Sequence, residues 1–282
     1  MAQRVVVTGG SGKLGRAVVA DLLRHDLSVV NVDQSPPPAD QGCPHIRIDL
    51  TDFGQTVEAL TTTPSDGVDA VVHLAAIPAP GITSNAATFA NNAPSTYNVF
   101  SAARLAGIRN VVWASSETVL GLPFDSPPPY LPVDENYPPR PESTYSLVKT
   151  LEELMAVQFC RWDPRLKMVG LRFSNVMTPD DYAGFAQFQQ DPVLRKWNLW
   201  SYIDARDGAQ AVRRALLWET TGTEVFIIAN ADSVMNESSA SLAAKVFPSV
   251  EVRKDLGEHE TLLSIDKARR ILGYEPQYSW RD

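Results

Sequence analysis

The chain has 282 residues, 44% of them hydrophobic, and a formal net charge of −8. That is enough apolar mass for one large core, or for one core with a small appended lobe, and it excludes a disordered tail protein. The acidic balance leaves no basic footprint for neutralising many phosphates, so nucleic acid is not an expected partner. Only Cys43 and Cys160 occur, far apart and without a metal-ligand pattern around them. They suggest neither a disulfide framework nor a zinc site, and no metal is expected. This usage fits a reducing compartment. Residues 1–4 run directly into a valine triplet, so the expectation is a cytoplasmic protein without a membrane segment.

In chain order, β-branched runs alternate with helical patterns. Residues 5–7 read as a strand, 18–23 as a helix and 29–32 as a second strand. A strand at 46–48, a helix around Val57 and Leu60, a strand at 70–74 and a long helix over 86–106 follow. Residues 111–114 and 168–171 read as a fifth and a sixth strand, with a helix near 143–160 between them. This alternation predicts an α/β fold, a Rossmann-type doubly wound parallel sheet whose ligand lies beyond the carboxyl ends of the strands. Eight prolines between Pro123 and Pro141 predict a stiff, extended surface excursion that walls a pocket. After Leu171 come an aromatic, Gln-rich stretch, a strand-like run at 200–203 and a helix over 205–218. The expected division is a dinucleotide-binding domain at 1–172 and a small substrate lobe at 173–282, interleaved with the last elements of the sheet.

The segment from Thr8 to Gly15 joins the first strand to the first helix and places glycines at 9, 12 and 15, with Lys13 and Leu14 between the last two. Gly9 permits a tight turn, Gly12 lets the backbone approach a pyrophosphate, and Gly15 lets the helix pack close to the sheet. Asp33 ends the second strand. A carboxylate there accepts from the adenosine ribose and repels a 2′-phosphate, which favours NAD over NADP.

Tyr145 and Lys149 stand four apart in a helical segment and so share one face. A nearby ammonium favours the phenolate and brings the tyrosine toward a working range for proton transfer. Ser116 closes the fifth strand, where its hydroxyl can donate to a reacting oxygen. With Thr8 to Gly15, Asp33, Asp49-Leu50, the His73–Ala76 segment, Asn92, Ser115 to Gly121, Tyr145 to Lys149 and 171–175, the chain resembles the NAD-dependent epimerase/dehydratase family, the extended short-chain dehydrogenases/reductases. The resemblance implies a catalytic triad of Ser116, Tyr145 and Lys149, with Lys149 also on the nicotinamide ribose. It further implies Asp49 and Leu50 beside adenine, Leu74, Ala75 and Ala76 lining the cofactor cleft, Asn92 supporting it, and Asn175 touching substrate.

Two positions depart from the family pattern: Leu120 replaces a common tyrosine, and Val148 replaces the usual serine before the lysine. Family dehydratases carry an adjacent Asp-Glu pair where this chain has Glu117-Thr118, so dehydration is disfavoured. Glu117 is left either as a ligand for a sugar hydroxyl or as a solvated side chain. Three activities stay open: a dehydrogenase of a sugar or sugar acid, with some similarity to uronate dehydrogenases, a nucleotide-sugar epimerase with tightly bound NAD, and a non-catalytic dinucleotide sensor. The diphosphate-gripping arginine motif of the epimerases is not recognisable, which places the dehydrogenase first. Arg206, with Arg195 and Lys196, is the expected partner for an anionic group of the substrate. A small sugar-like molecule is the expected partner, and a homodimer is the candidate assembly.

Overall fold

The computed structural model describes residues 3–38, 41–62 and 67–282. The first half runs β1 (Arg4–Thr8), α1 (Lys13–Arg24), β2 (Ser28–Val32), β3 (His45–Ile46), α2 (Phe53–Thr61), β4 (Ala70–His73), α3 (Asn85–Leu105) and β5 (Asn110–Ser116). The second half runs β6 (Tyr130–Leu131), α4 (Thr144–Trp162), β7 (Lys167–Phe173), β8 (Val176–Met177), β9 (Ile203–Asp204), α5 (Ala205–Leu217), β10 (Gly222–Ile228), α6 (Ser239–Val246), β11 (Glu251–Val252) and α7 (Asp266–Leu272). Seven strands form one sheet in the order β10-β7-β5-β4-β1-β2-β3, every neighbouring pair parallel. The chain grows outward from β1 in one direction through β2 and β3, then restarts on the other side with β4. The crevice beyond β1 and β4 is therefore the topological switch point at which such sheets bind ligands.

The middle of the sheet is mostly apolar because helices cover both faces. Val5, Val7, Val29, Val72 and Val112 pack into the core on one face, while Val6, Val30, Val71, Val111 and Trp113 pack into the core on the other. Alternate residues of a strand point to opposite faces, and this period of two assigns them. Helix α1 packs on α5 over the first face, and α3 packs between α2 and α4. Trp113 is fully buried, and a Cβ on Gly170 of the neighbouring strand would meet its ring at 2.6 Å, so this width of side chain demands glycine opposite.

The six expected strands are present, and β10 adds a seventh. Only the last three residues of β10 are fully buried, so its apolar run is too short to stand out in the sequence. A cut at residue 172 would assign β10 to the lobe, although it pairs with β7 in the main sheet. The strand-like 200–203 run is largely a turn: Leu199 and Trp200 have φ of +56° and +58°, and only Ile203 and Asp204 extend, alongside β8. The proline-rich excursion is not a surface loop along its length. Tyr130, Leu131 and Val133 are buried, and the Val133 amide donates to the Leu262 carbonyl at 2.9 Å.

Helix α4 turns the face shared by Tyr145 and Lys149 inward. Leu147 and Leu154 are exposed, while Tyr145, Lys149, Glu152 and Glu153 face inward. Ser143 caps its first turn through a reciprocal bond with Ser146. Charged residues are admitted to the interior because each is paired. Arg172 on β7 donates twice to Glu153, at 2.9 and 2.8 Å, and Ser115 on β5 donates to the same carboxylate at 2.6 Å. Removing one partner strands a buried charge, so Arg172→Met is expected to lower unfolding free energy by about 3–5 kcal/mol. Equilibrium urea denaturation checks this, and a loss under about 1 kcal/mol would show that the pair does not anchor α4.

Candidate functional site

A cleft of about 1000 Å³ opens beyond the carboxyl ends of β1, β4 and β5. At one end lies the glycine turn. Gly9 has φ +72°, and a Cβ on it would meet the Ala75 nitrogen at 2.6 Å, so glycine is what lets this turn lie against the chain leaving β4. A Cβ on Gly15 would sit 2.0 Å from the Gly9 carbonyl, so Gly15 serves close packing against the turn itself rather than against a strand. Gly12 caps α1 without a side-chain bond, and the first turn of α1 carries no acid. Its backbone N–H groups therefore keep their affinity for an anion. Asn31 and Gln41, which no sequence motif marked, hold the turn from beneath: Gln41 donates to the Gly10 carbonyl at 2.7 Å, and Asn31 donates to Ser11 and Gln41.

Asp33 lines this end, accepting from the amides of Ser11 at 3.0 Å and Ser35 at 2.9 Å. Lys13, Leu14, Leu50, Leu74, Ala75 and Ala76 line the cleft as well. Asp49 does not; its carboxylate accepts from the amide and hydroxyl of Thr51 and shapes the turn before α2. Asn92 is buried and outside the lining, but its amide accepts from Ile77 N at 2.8 Å and donates to Ile77 O at 3.0 Å, fixing the segment after β4 that forms the wall. A glycine at 12 where a Cβ would crowd the Gly9 carbonyl at 3.3 Å, a helix start without a side-chain cap and an acceptor placed one strand away together fit a dinucleotide with a free ribose 2′-hydroxyl.

At the centre stand Ser116, Tyr145 and Lys149, all lining the cleft and all nearly buried. The Ser116 hydroxyl lies near enough to the Tyr145 phenol to favour its ionised form, and the Lys149 ammonium lies 5.9 Å from that ring's centre. Lys149 donates to the Ala114 carbonyl at 2.8 Å and to Glu152 at 2.9 and 3.2 Å. Burial pushes the Tyr145 phenol up; Lys149 pulls it down, but the Glu152 carboxylate pushes it up again. The net direction is upward, opposite to what Lys149 alone would give, because the cost of burying a phenolate outweighs the pull of the lysine and Glu152 adds to it. Glu152 and Glu153 stand three and four residues after Lys149, a spacing that puts them on its face.

The far end is polar. Ser174, Asn175, Trp197, Glu142 and Ser143 line it together with Glu117, Thr118 and Leu122. Glu117 is not solvated: it is only 3% exposed. Its carboxylate accepts from Ser174 Oγ at 2.6 Å and Asn198 Nδ2 at 3.1 Å. Burial nevertheless pushes it up to about 7, against the pull of these donors and of Arg195. Asn198 carried no sequence signal, lying 81 residues from the carboxylate it serves. Arg206 is not brought to the cleft. Asp204 takes its Nε and Nη2, both at 2.8 Å, and Tyr278 stacks on it. Lys196 pairs with Asp125, and Arg195 sits behind Asn175, donating to its side chain and to the Ser201 carbonyl, both at 3.1 Å.

The fold and the cleft define a dinucleotide-binding protein with a Ser, Tyr and Lys cluster at the switch point. The NAD dependent epimerase/dehydratase family matches residues 5–229, and the chain belongs to that family of NAD-dependent enzymes. Among its relatives, UDP-glucose 4-epimerase 2 of Oryza sativa subsp. japonica is 29% identical over 71% of this chain, a match spanning half of the rice protein. L-arabinose 1-dehydrogenase (NAD(P)(+)) of Haloferax volcanii is 27% identical over 76% of this chain and 82% of its own, and the uronate dehydrogenase of Pseudomonas putida is 26% identical over 78% and 73%. A short-chain dehydrogenase/reductase superfamily protein from Agrobacterium tumefaciens, solved with bound NAD, superposes with a TM-score of 0.74 at 24% identity, over 99% of this chain and 94% of that one. Among the described residues no helix is long and apolar enough to cross a membrane, and no group of residues is arranged to hold a metal ion.

The position of Asp33 generates a cofactor test. Asp33→Ser combined with Gln34→Arg should shrink the preference for NAD over NADP by at least about tenfold, since the change removes a like charge and adds an opposite one. Steady-state kcat/KM with both cofactors measures it, and equal efficiency of the unmodified enzyme with the two would discount Asp33 as the discriminator.

Proposed function

We propose that the enzyme is a dehydrogenase that moves a hydride to or from a carbinol carbon of a free sugar or sugar acid. The observation that carries this reading is the engagement of the cations near the substrate end. Arg206 is held by Asp204, Lys196 by Asp125 and Arg195 by Asn175 and Ser201. A buried diphosphate requires dedicated cations or helix starts. Similarity to the rice epimerase keeps a nucleotide-sugar epimerase as the second reading, and that match spans half of the rice protein.

In the proposed mechanism Gly9, Gly12 and Gly15, with the start of α1, hold the pyrophosphate, Asp33 accepts from the adenosine ribose, and Leu50 flanks adenine. Leu74, Ala75 and Ala76 form the wall that Asn92 fixes. NAD, when bound, supplies the hydride acceptor. The substrate hydroxyl sits between Ser116 and Tyr145; Ser116 Oγ donates to its oxygen, and Tyr145 Oη takes its proton as the hydride leaves carbon. Lys149 stays charged, because Glu152 and Tyr145 hold its ammonium above the usual lysine range against the cost of burial. In the reverse direction Tyr145 returns the proton to the carbonyl oxygen.

Tyr145→Phe is expected to cut turnover at least about a hundredfold while leaving NAD affinity within about twofold, since proton transfer of this kind contributes on that order. Because the phenol is held above its ordinary value, its phenolate fraction grows with alkalinity, and wild-type oxidation should accelerate from about pH 7 to about pH 9. Near-normal turnover in the phenylalanine variant would remove Tyr145 from the mechanism. The function itself is tested by following NADH formation across free sugars and sugar acids, alongside calorimetric binding of UDP and UDP-glucose. Micromolar UDP binding with no turnover of any free sugar would promote the epimerase reading.

A further inference from the structure

We infer that Glu117 selects for an uncharged sugar: the substrate presents a neutral hydroxyl to the end of the cleft where Glu117 stands, and a sugar carrying a carboxylate there is rejected. The inference rests on the dehydrogenase reading and narrows its substrate to neutral polyhydroxy compounds. Glu117 directly follows Ser116, so its side chain belongs to the wall next to the reacting hydroxyl. Its partners from the protein are donors, Ser174 and Asn198, on two separate segments. A carboxyl set among donors accepts from a substrate O–H with its remaining lone pairs. In its ionised form, which predominates above about pH 7, it repels a second carboxylate, and in a buried site two like charges cost far more than in water, so the selectivity is read at alkaline pH.

No free cation offsets this among the described residues that line the cleft. Lys13 donates to Asp181 at 2.8 Å and to the Val176 carbonyl, and Lys149 is taken by Glu152. Arg195 is the nearest guanidinium, but it does not line the cleft. It packs against Trp197 and Phe188, and its Nε is buried with no surface to offer a ligand. Its charge acts from behind, on Glu117 and Asn175, which stand between it and the cavity. The second acid at the rim, Glu142, bonds Arg140 at 2.7 Å. A bidentate guanidinium facing the cavity, the natural receptor for a carboxylate, is therefore missing from these walls.

Matched sugars that differ at one carbon test this: D-galactose against D-galacturonate, and D-glucose against D-glucuronate. kcat/KM with NAD and calorimetric affinity for the NADH-loaded protein are both measured. The neutral member of at least one pair is expected to be favoured about tenfold or more in both readouts. Glu117→Gln, which keeps the shape and removes the charge, is expected to narrow that ratio about tenfold; a purely structural role would lower both members equally and leave the ratio unchanged. Preference of the wild type for the uronates, or an unchanged ratio in a folded Glu117→Gln, overturns the inference. If the variant does not fold, the wild-type ratio alone decides. Binding of neutral sugar without turnover would retain this selectivity and remove the dehydrogenase reading, whereas no binding of either class would remove both.

Discussion

The arrangement of the cleft depends on one buried ion pair, Lys149 with Glu152, each no more than 3% exposed. An ammonium taken out of water must be paired and hydrogen-bonded or it loses its proton. Here the pairing extends across the sheet. Glu152 accepts from Thr96 on α3 at 3.0 Å, Thr96 meets His73 on β4 at 3.1 Å, and His73 meets Thr8 on β1 at 2.7 Å. Burial, with the Lys149 charge nearby, pushes His73 down to about 3, so it serves this chain as a neutral ring. One end of the network lies at the glycine turn and the other at the Ala114 carbonyl beside Ser116. Burial is the largest influence on Tyr145, and the same pair acts beside it, because Lys149 draws the phenol down while Glu152 pushes it up.

Much of this was legible in the sequence, and the rest was hidden for physical reasons. Valine runs of period two and a glycine turn are local signals, so the strands, the switch point and the cofactor end of the cleft could be read from adjacent residues. Ser116, Tyr145 and Lys149 could be placed together because strand ends and helix faces obey simple periods. The failures are long-range or concern buried charge. Helix α4 exposes Leu147 and Leu154 and buries Glu152 and Glu153, because Lys149 and Arg172 await the two carboxylates. The pairing of Arg206 with Asp204, two residues away, was within reach of a local reading, since a carboxylate so close competes with any substrate for the guanidinium. Asn198 and Gln41 act through contacts that no local pattern encodes.

The cleft is divided electrostatically along its length. At the glycine turn, backbone N–H groups at the start of α1 favour an anion, and one acid, Asp33, stands beside them. In the middle the charges cancel in pairs. At the far end, Glu117 and a ring of hydroxyls and amides leave a surface that recognises hydroxyl groups by direction rather than by charge. A weakly charged ligand can be held there only by several aligned hydrogen bonds, so stereochemistry, more than net charge, should distinguish one sugar from another.

The segment between β5 and α4 carries a consequence for how the protein is made. Its two ends, Leu122 with Pro123 and Glu142 with Ser143, wall the substrate end, while its middle is laminated onto residues near the chain's finish. Tyr130 and Leu131 pair with Glu251 and Val252, Val133 is clasped by Leu262 and Ser264, and Glu135 accepts from the Ile227 amide at 2.8 Å. During vectorial synthesis the first strands and the glycine turn emerge early and can assemble as a unit. The substrate wall cannot, because its supports leave the ribosome roughly a hundred residues later. A growing chain thus acquires the glycine-turn end of the cleft well before it acquires the opposite wall.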